Sequence, residues 1–208
     1  MQQSSDAADN ILNAAEQLFA LKGYDGVSVR LVAEQACVSK ASVFHHFGSK
    51  ELLYEAVLKR ASAEFEALLG RLGGNTGNLR DRLSTFVKEH LTCIYDKPSL
   101  SHLLLREVLE PGSDVSYTKA AGVLGSSFAK LTAVLRDEKQ SQTIKPETDP
   151  ALLAYLLIAA NVFFFQSQKF IQHMSEIDFA GDNSRYTEAV VTYLLDGVLS
   201  HSGVPADH

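Results

Sequence analysis

The chain has 208 residues, 46% of them hydrophobic, and a formal net charge of −6; that apolar share excludes disorder and leaves enough material for a sizeable core. The acidic balance excludes an evenly basic nucleic-acid coat while leaving room for a local basic patch. No uninterrupted apolar run reaches the roughly 18 residues of a spanning helix, the start MQQSSDAADN lacks the segments of a signal peptide, and two cysteines, Cys37 and Cys93, make no disulfide framework, so the expected compartment is the reducing cytoplasm.

The pattern is helical throughout, without period-2 alternation between hairpin turns, and predicts an all-α chain of about nine helices. Ile11, Ala14, Ala15, Leu18 and Phe19 mark one face of a first helix, which stops at Gly23. Ser28 caps a second over about 29–36 and Ser39 a short third over about 40–46, after which Gly48-Ser49 breaks the chain. Lys50-Glu51 opens a long fourth helix to about Leu72, followed by the first flexible break, GGNTGN at 73–78. A fifth helix covers about 79–95, a sixth opens at Pro98 and ends before Pro111-Gly112, and a seventh covers about 116–138. After the polar stretch KQSQTIKPETDP, Asp149-Pro150 caps an eighth helix over about 150–175, and a ninth spans about 184–201.

Residues 38–53, VSKASVFHHFGSKELL, hold Lys40, Lys50 and two histidines but no acid until Glu51. Two short helices joined by a tight turn at Cys37-Val38-Ser39 fit a helix-turn-helix. Val32, Ala33, Ala36, Val43 and Phe47 supply its inner faces, which leaves Lys40, Ala41, Ser42, Phe44, His45 and His46 outward or flanking. A helix presented this way enters the DNA major groove with its first residues at the base edges, and its free N–H groups favour phosphate. Adjacent His45 and His46 diverge by about 100° on a helix and do not readily share a metal, so no metal or cofactor is expected.

Residues 11–58, ILNAAEQLFALKGYDGVSVRLVAEQACVSKASVFHHFGSKELLYEAVL, resemble the N-terminal DNA-binding domain of TetR-family transcriptional regulators. The resemblance rests on elements in order: Phe19 with Lys22-Gly23-Tyr24, Ser28-Val29, Val38-Ser39-Lys40, and Phe44-His45-His46-Phe47 before Ser49-Lys50-Glu51. It implies a homodimeric all-helical repressor that binds a palindromic operator in double-stranded DNA. The DNA-binding helix-turn-helix domain would occupy residues 1–55 and a ligand-binding and dimerisation domain residues 56–208. Carried over by position, the DNA contacts are Ser28, Arg30, Lys40, Ala41, Ser42, Phe44, His45 and Lys50. The chain departs from the pattern twice: Phe44 stands where the family commonly has a phosphate-holding Tyr, and Cys37 where it usually has Gly. At Cys37 a redox-sensing thiol and a tolerated turn residue are both open readings.

The eighth helix contains ALLAYLLIAANVFFF, apolar nearly all round and broken only by Asn161, so more than one of its sides must be covered. In the ninth, Tyr186, Ala189, Val190, Tyr193, Leu194, Gly197 and Val198 form a packing stripe. Paired across two subunits, these helices would make a four-helix interface through Tyr155, Ile158, Val162, Phe165, Tyr186, Val190, Tyr193 and Leu194; the alternative is a monomer core. An effector pocket would lie among the fifth to eighth helices, with Phe86, His90, His102, Arg106, Phe128, Asn161 and Phe164 as candidates, suited to a small, mostly apolar molecule. Ordinary core or surface roles are the competing reading for each. The alternative function is a DNA-binding regulator with no small-molecule trigger, controlled by a protein partner or by abundance. No nucleophile elbow, phosphate loop or metalloprotease motif supports an enzyme.

Overall fold

Hydroxyl caps and left-handed turns bound the short N-terminal helices. A computed structural model describes residues 2–74, 77–109, 112–174, 179 and 181–196, with backbone alone for 2–5. Among these residues every regular element is a helix: α1 (Gln2–Lys22), α2 (Val29–Gln35), α3 (Lys40–Phe47), α4 (Lys50–Gly74), α5 (Leu79–Asp96), α6 (Pro98–Leu109), α7 (Asp114–Gln140), α8 (Pro150–Ile171) and α9 (Asn183–Asp196). The all-α expectation therefore holds. Helix α8 ends four residues before its expected limit, where the Gln172 N–H turns back to the Gln168 and Phe170 carbonyls. The expected end of the ninth helix, with Gly197 and Val198, lies outside the described residues.

Ser28 Oγ accepts from Leu31 N–H at 3.2 Å and Ser39 Oγ from Ser42 N–H at 3.1 Å, so each hydroxyl satisfies a donor that its helix leaves free. Between them, Val38 N–H donates to Ala33 O at 3.0 Å and Cys37 N–H to Glu34 O at 3.2 Å. That bond pair ends a helix through a left-handed residue, and the residue is Cys37, with φ +55°. At the end of α1, Gly23 takes φ +69° and donates to Phe19 O at 2.9 Å. A Cβ there would meet only the mobile end of the exposed Arg106, at 3.0 Å, so it is the left-handed turn that calls for glycine.

The chain divides into two compact units. Residues 1–64 and 97–126 make one, and residues 65–96 and 127–208 the other, so the divisions fall inside α4 and α7. The first unit holds α1–α3 together with α6. Its core gathers Ile11, Phe19, Val32, Val43, Tyr54 and Leu103, among others. The Tyr54 ring stands 4.9 Å from both the Phe19 and Tyr24 rings. Tyr54 also lies against the buried Glu107 of α6, and burial, then that carboxylate, push the phenol pKa up. Arg60 ties α4 to α1 through Asn13 Oδ1 at 2.9 Å, the Leu12 carbonyl at 3.0 Å and Glu16. Asp25 accepts from the Ser113 N–H at 2.9 Å, which fastens the start of α7 to the α1–α2 turn.

In the second unit α5 packs on α8 and α9 around Leu83, Val87, Leu131, Leu135, Leu157 and Leu195. Arg82, nearly buried, donates to the Leu72 carbonyl at 3.1 Å and pairs with Glu138 at 2.5 Å, joining the ends of α4 and α7 to the start of α5. Helix α8 is long and apolar enough to cross a membrane by length and composition; isolated neutral residues such as Asn161 and Ser167 interrupt its apolar run without lowering its average much. Two changes test these elements. Arg82→Ala strands Glu138 and a helix-end carbonyl and is expected to lower the unfolding free energy by about 3 kcal/mol, read as a lower urea midpoint. Cys37→Gly removes the left-handed penalty on a side-chain-bearing residue and is expected to raise stability by up to about 1 kcal/mol in the same assay.

Candidate functional site

Helix α3 is held by one buried side chain, Val43, with Ser42, His46 and Phe47 half-buried beside it. Lys40, Ala41, Phe44 and His45 are exposed, and their i, i+1, i+4, i+5 spacing puts them on one face. That face carries no acid. Lys40 Nζ sits 5.6 Å from the Phe44 ring centroid, so the ring holds the cation near the helix N-terminus. Phe44 is 43% exposed, a large apolar surface presented to solvent at the centre of the face. The rings of His45 and His46 lie edge to face at 5.3 Å.

Ser28 is exposed at the start of α2, its hydroxyl already capping that helix. Arg30 pairs with Glu34 at 2.8 Å across one helical turn, with both side chains largely exposed. Such a pair is worth about 0.5 kcal/mol, so a phosphate can displace Glu34 with little penalty. Lys50 is more tightly placed: its Nζ lies 4.1 Å from the centroid of the Tyr24 ring, whose hydroxyl donates to Glu51 Oε1 at 3.0 Å. Desolvation draws the Lys50 pKa below its usual value against the opposing pull of Asp25 and Glu51. The Ser49 hydroxyl leads the groups that hold Glu51 below the ordinary carboxylate range. The Tyr24–Lys50–Glu51 cluster was missed by sequence reasoning. Its signal is Tyr24 directly after the glycine that ends α1, which turns the ring back over the start of α4.

The effector candidates separate into two sets. Phe86, His90, Asn161 and Phe164 are buried in the second unit on α5 and α8, and half-buried Phe128 packs on the same core. Phe65, absent from the sequence-derived set, lies tilted against the His90 ring at 4.9 Å and edge-on to Phe86 at 5.7 Å. His102 and Arg106 are exposed on α6 in the first unit, where Arg106 lies against Gly23. None of the candidates lines the groove of about 180 Å³ between α5 and α9, which Ser84, Lys88 and Glu188 help to form.

Of the expected interface residues, Tyr155 and Tyr193 are 61% and 80% exposed. Ile158, Val162, Phe165, Val190 and Leu194 are half-buried, with Ile158, Val190 and Leu194 packed on the core of their own unit. Tyr186 turns inward: its ring stacks on Phe164 at 3.7 Å and its hydroxyl donates to the Ala160 carbonyl at 2.6 Å. Leu152, Leu156, Phe163 and Phe170 add exposed apolar surface along α8.

Burial pushes the His90 pKa down to about 4 from an ordinary 6.5. The unfolded chain therefore takes up the proton first. The resulting stability is full above pH 6.5 and is lost as pH falls toward about 4, by up to about 3 kcal/mol. Urea unfolding across that range should show this slope, and His90→Phe should remove it.

Comparison with known proteins bears on the N-terminal part first. The profile of the family described as "Bacterial regulatory proteins, tetR family" matches residues 11–57. Over 168 residues the chain is 23% identical to the HTH-type transcriptional repressor NicS of Pseudomonas putida, spanning 81% of this chain and 79% of that one. Over 148 residues it is 26% identical to IcaR of Staphylococcus aureus, the HTH-type negative transcriptional regulator of the biofilm operon icaADBC, spanning 71% and 79% of the two chains. The solved structure of the transcriptional regulator FadR from Bacillus subtilis, in complex with stearoyl-CoA, shares the fold with a TM-score of 0.71 at 18% identity, covering 90% of this chain and 97% of that one.

Proposed function

The chain belongs to the TetR family of transcriptional regulators and is a DNA-binding regulator, and we propose that it acts as a homodimeric repressor, bound to a palindromic operator and released by a small, mostly apolar effector. The observation that carries the reading is the exposed, acid-free face of α3, with Lys40 at its N-terminus and Ala41, Phe44 and His45 along it. In this reading Lys40 and Lys50 hold phosphates, Arg30 leaves Glu34 for phosphate or a base edge, and the Ser28 and Ser42 hydroxyls flank the groove. Ala41 is small enough to admit a thymine methyl. The reading head is residues 1–55, and residues 56–208 bind the effector and the second subunit.

Dimerisation is supported by the uncovered apolar side of α8 and by Tyr193 on α9. A palindrome requires two reading helices at a fixed separation, one or more helical turns apart, and a symmetric pair of subunits supplies it. Regulation in place of catalysis, and residence in the cytoplasm with the DNA, follow from the same reading.

Selection of bound duplexes from a random pool should recover an inverted repeat. Lys40→Ala should weaken binding to that repeat and lower the slope of log affinity against log salt by about one. Failure to enrich any repeat at low salt would remove the DNA-reading role. Tyr155→Glu with Tyr193→Glu should shift the protein from dimer to monomer in sedimentation and reduce operator affinity. An unchanged dimer would place the interface elsewhere.

A further inference from the structure

Asn161 is the one polar residue in the most apolar stretch of α8, and it is 0% exposed. Its Nδ2 faces the Val87 carbonyl at 2.8 Å and His90 Nδ1 at 3.2 Å. A carbonyl only accepts, so the atom facing it must be the amide nitrogen, and the orientation of the side chain is determined by its surroundings. Both Nδ2 protons are then used. The second goes to His90 Nδ1, which must be the bare nitrogen of a neutral ring, consistent with a burial-depressed imidazole.

This arrangement consumes every donor of Asn161 and leaves its acceptor idle. Asn161 Oδ1 is buried with no hydrogen-bond partner among the described residues. Leaving such an oxygen unmet is unfavourable, because it has given up its hydrogen bonds to water and gained none in return. The surroundings are aromatic: Phe65 and Phe86 flank His90, and Phe164, one turn beyond Asn161, is stacked on Tyr186. A lone water ordinarily makes about three hydrogen bonds when buried, and in the Asn161–His90–Val87 cluster Oδ1 is the single buried, unpartnered side-chain atom among the described residues. A donor attached to an apolar body satisfies both the oxygen and the rings.

We propose that Asn161 Oδ1 is the polar anchor of the effector site between α5 and α8, and that the effector is an uncharged, largely apolar molecule presenting an O–H or N–H donor to it. The inference rests on the effector reading above and narrows it to one chemistry. A carboxylate is excluded at this point of the site: it has no proton to donate, and its charge would be buried beside a neutral histidine.

Calorimetry with three matched probes on the intact protein tests it: 4-butylphenol, which has the donor, 4-butylanisole, in which a methyl blocks it, and 4-butylbenzoate, which is anionic. The phenol should bind at least tenfold more tightly than either of the others. In Asn161→Leu, that preference should fall to within about threefold, as expected when a single hydrogen bond is removed. Equal binding of phenol and anisole, no binding of the phenol, or an undiminished preference in the variant would each overturn the proposal. The wild-type comparison stands even if the variant folds poorly. Operator binding without probe, measured alongside by fluorescence anisotropy, separates the two readings: intact DNA binding with a failed phenol arm overturns only the anchor, whereas absent DNA binding overturns the regulator itself.

Discussion

A helix of seven or eight residues does not persist alone in water, because the first turn fixes several residues for one hydrogen bond. Helices α2 and α3 are of that length, so the geometry that would meet DNA depends on what packs beneath them. That support is the buried set of Phe19, Tyr24, Val32, Val43 and Tyr54. Only Val43 anchors α3 fully, which frees the opposite face to carry groups chosen for a ligand. The hydroxyl caps and the left-handed residue between the two helices set the angle, and the apolar core holds it.

The fold was legible in the sequence where local chemistry and apolar spacing agreed. Ser28, Ser39, Asp149-Pro150 and Gly23 each mark a boundary by a mechanism one or two residues wide, and the structure places those boundaries accordingly. Cys37 was legible as an anomaly, and its positive φ shows that the position demands the glycine conformation without the glycine. Long-range pairings were not legible. Nothing local in Arg106 says that it lies against Gly23, or in Arg82 that it reaches both Leu72 and Glu138. Helix periodicity shows which face is apolar but not whether a neighbour in the same chain covers it. Tyr186 illustrates this: its spacing suits an outer seam, yet its ring is stacked inside on Phe164.

The candidate sites were legible to different depths. The exposed face of α3 follows from short-range rules, because its neighbours on the surface are its neighbours in sequence. Asn161 was visible as a polar break in an apolar helix, but its pairing with His90 joins residues 71 positions apart. The idle oxygen emerges only once both Nδ2 bonds are in place. Lys50 falls between the two: its position at the start of α4 was readable, whereas the Tyr24 ring that holds its ammonium depends on how α1 ends.

The compact unit that contains α1–α3 is discontinuous in sequence, because α6 and the first part of α7 complete its core with Leu100, Leu103 and Ala120. This has a practical meaning for anyone recombining such proteins. A graft of residues 1–55 onto another body would carry its reading surface but leave behind the floor on which Tyr54 and Phe19 rest. The transferable module is a two-segment piece, 1–64 with 97–126, and a host scaffold must bring the two chain crossings to matching places. Modularity in this architecture is a property of packing and not of chain order, and shuffling by simple end-to-end fusion would select for hosts whose own sixth helix fits the borrowed floor.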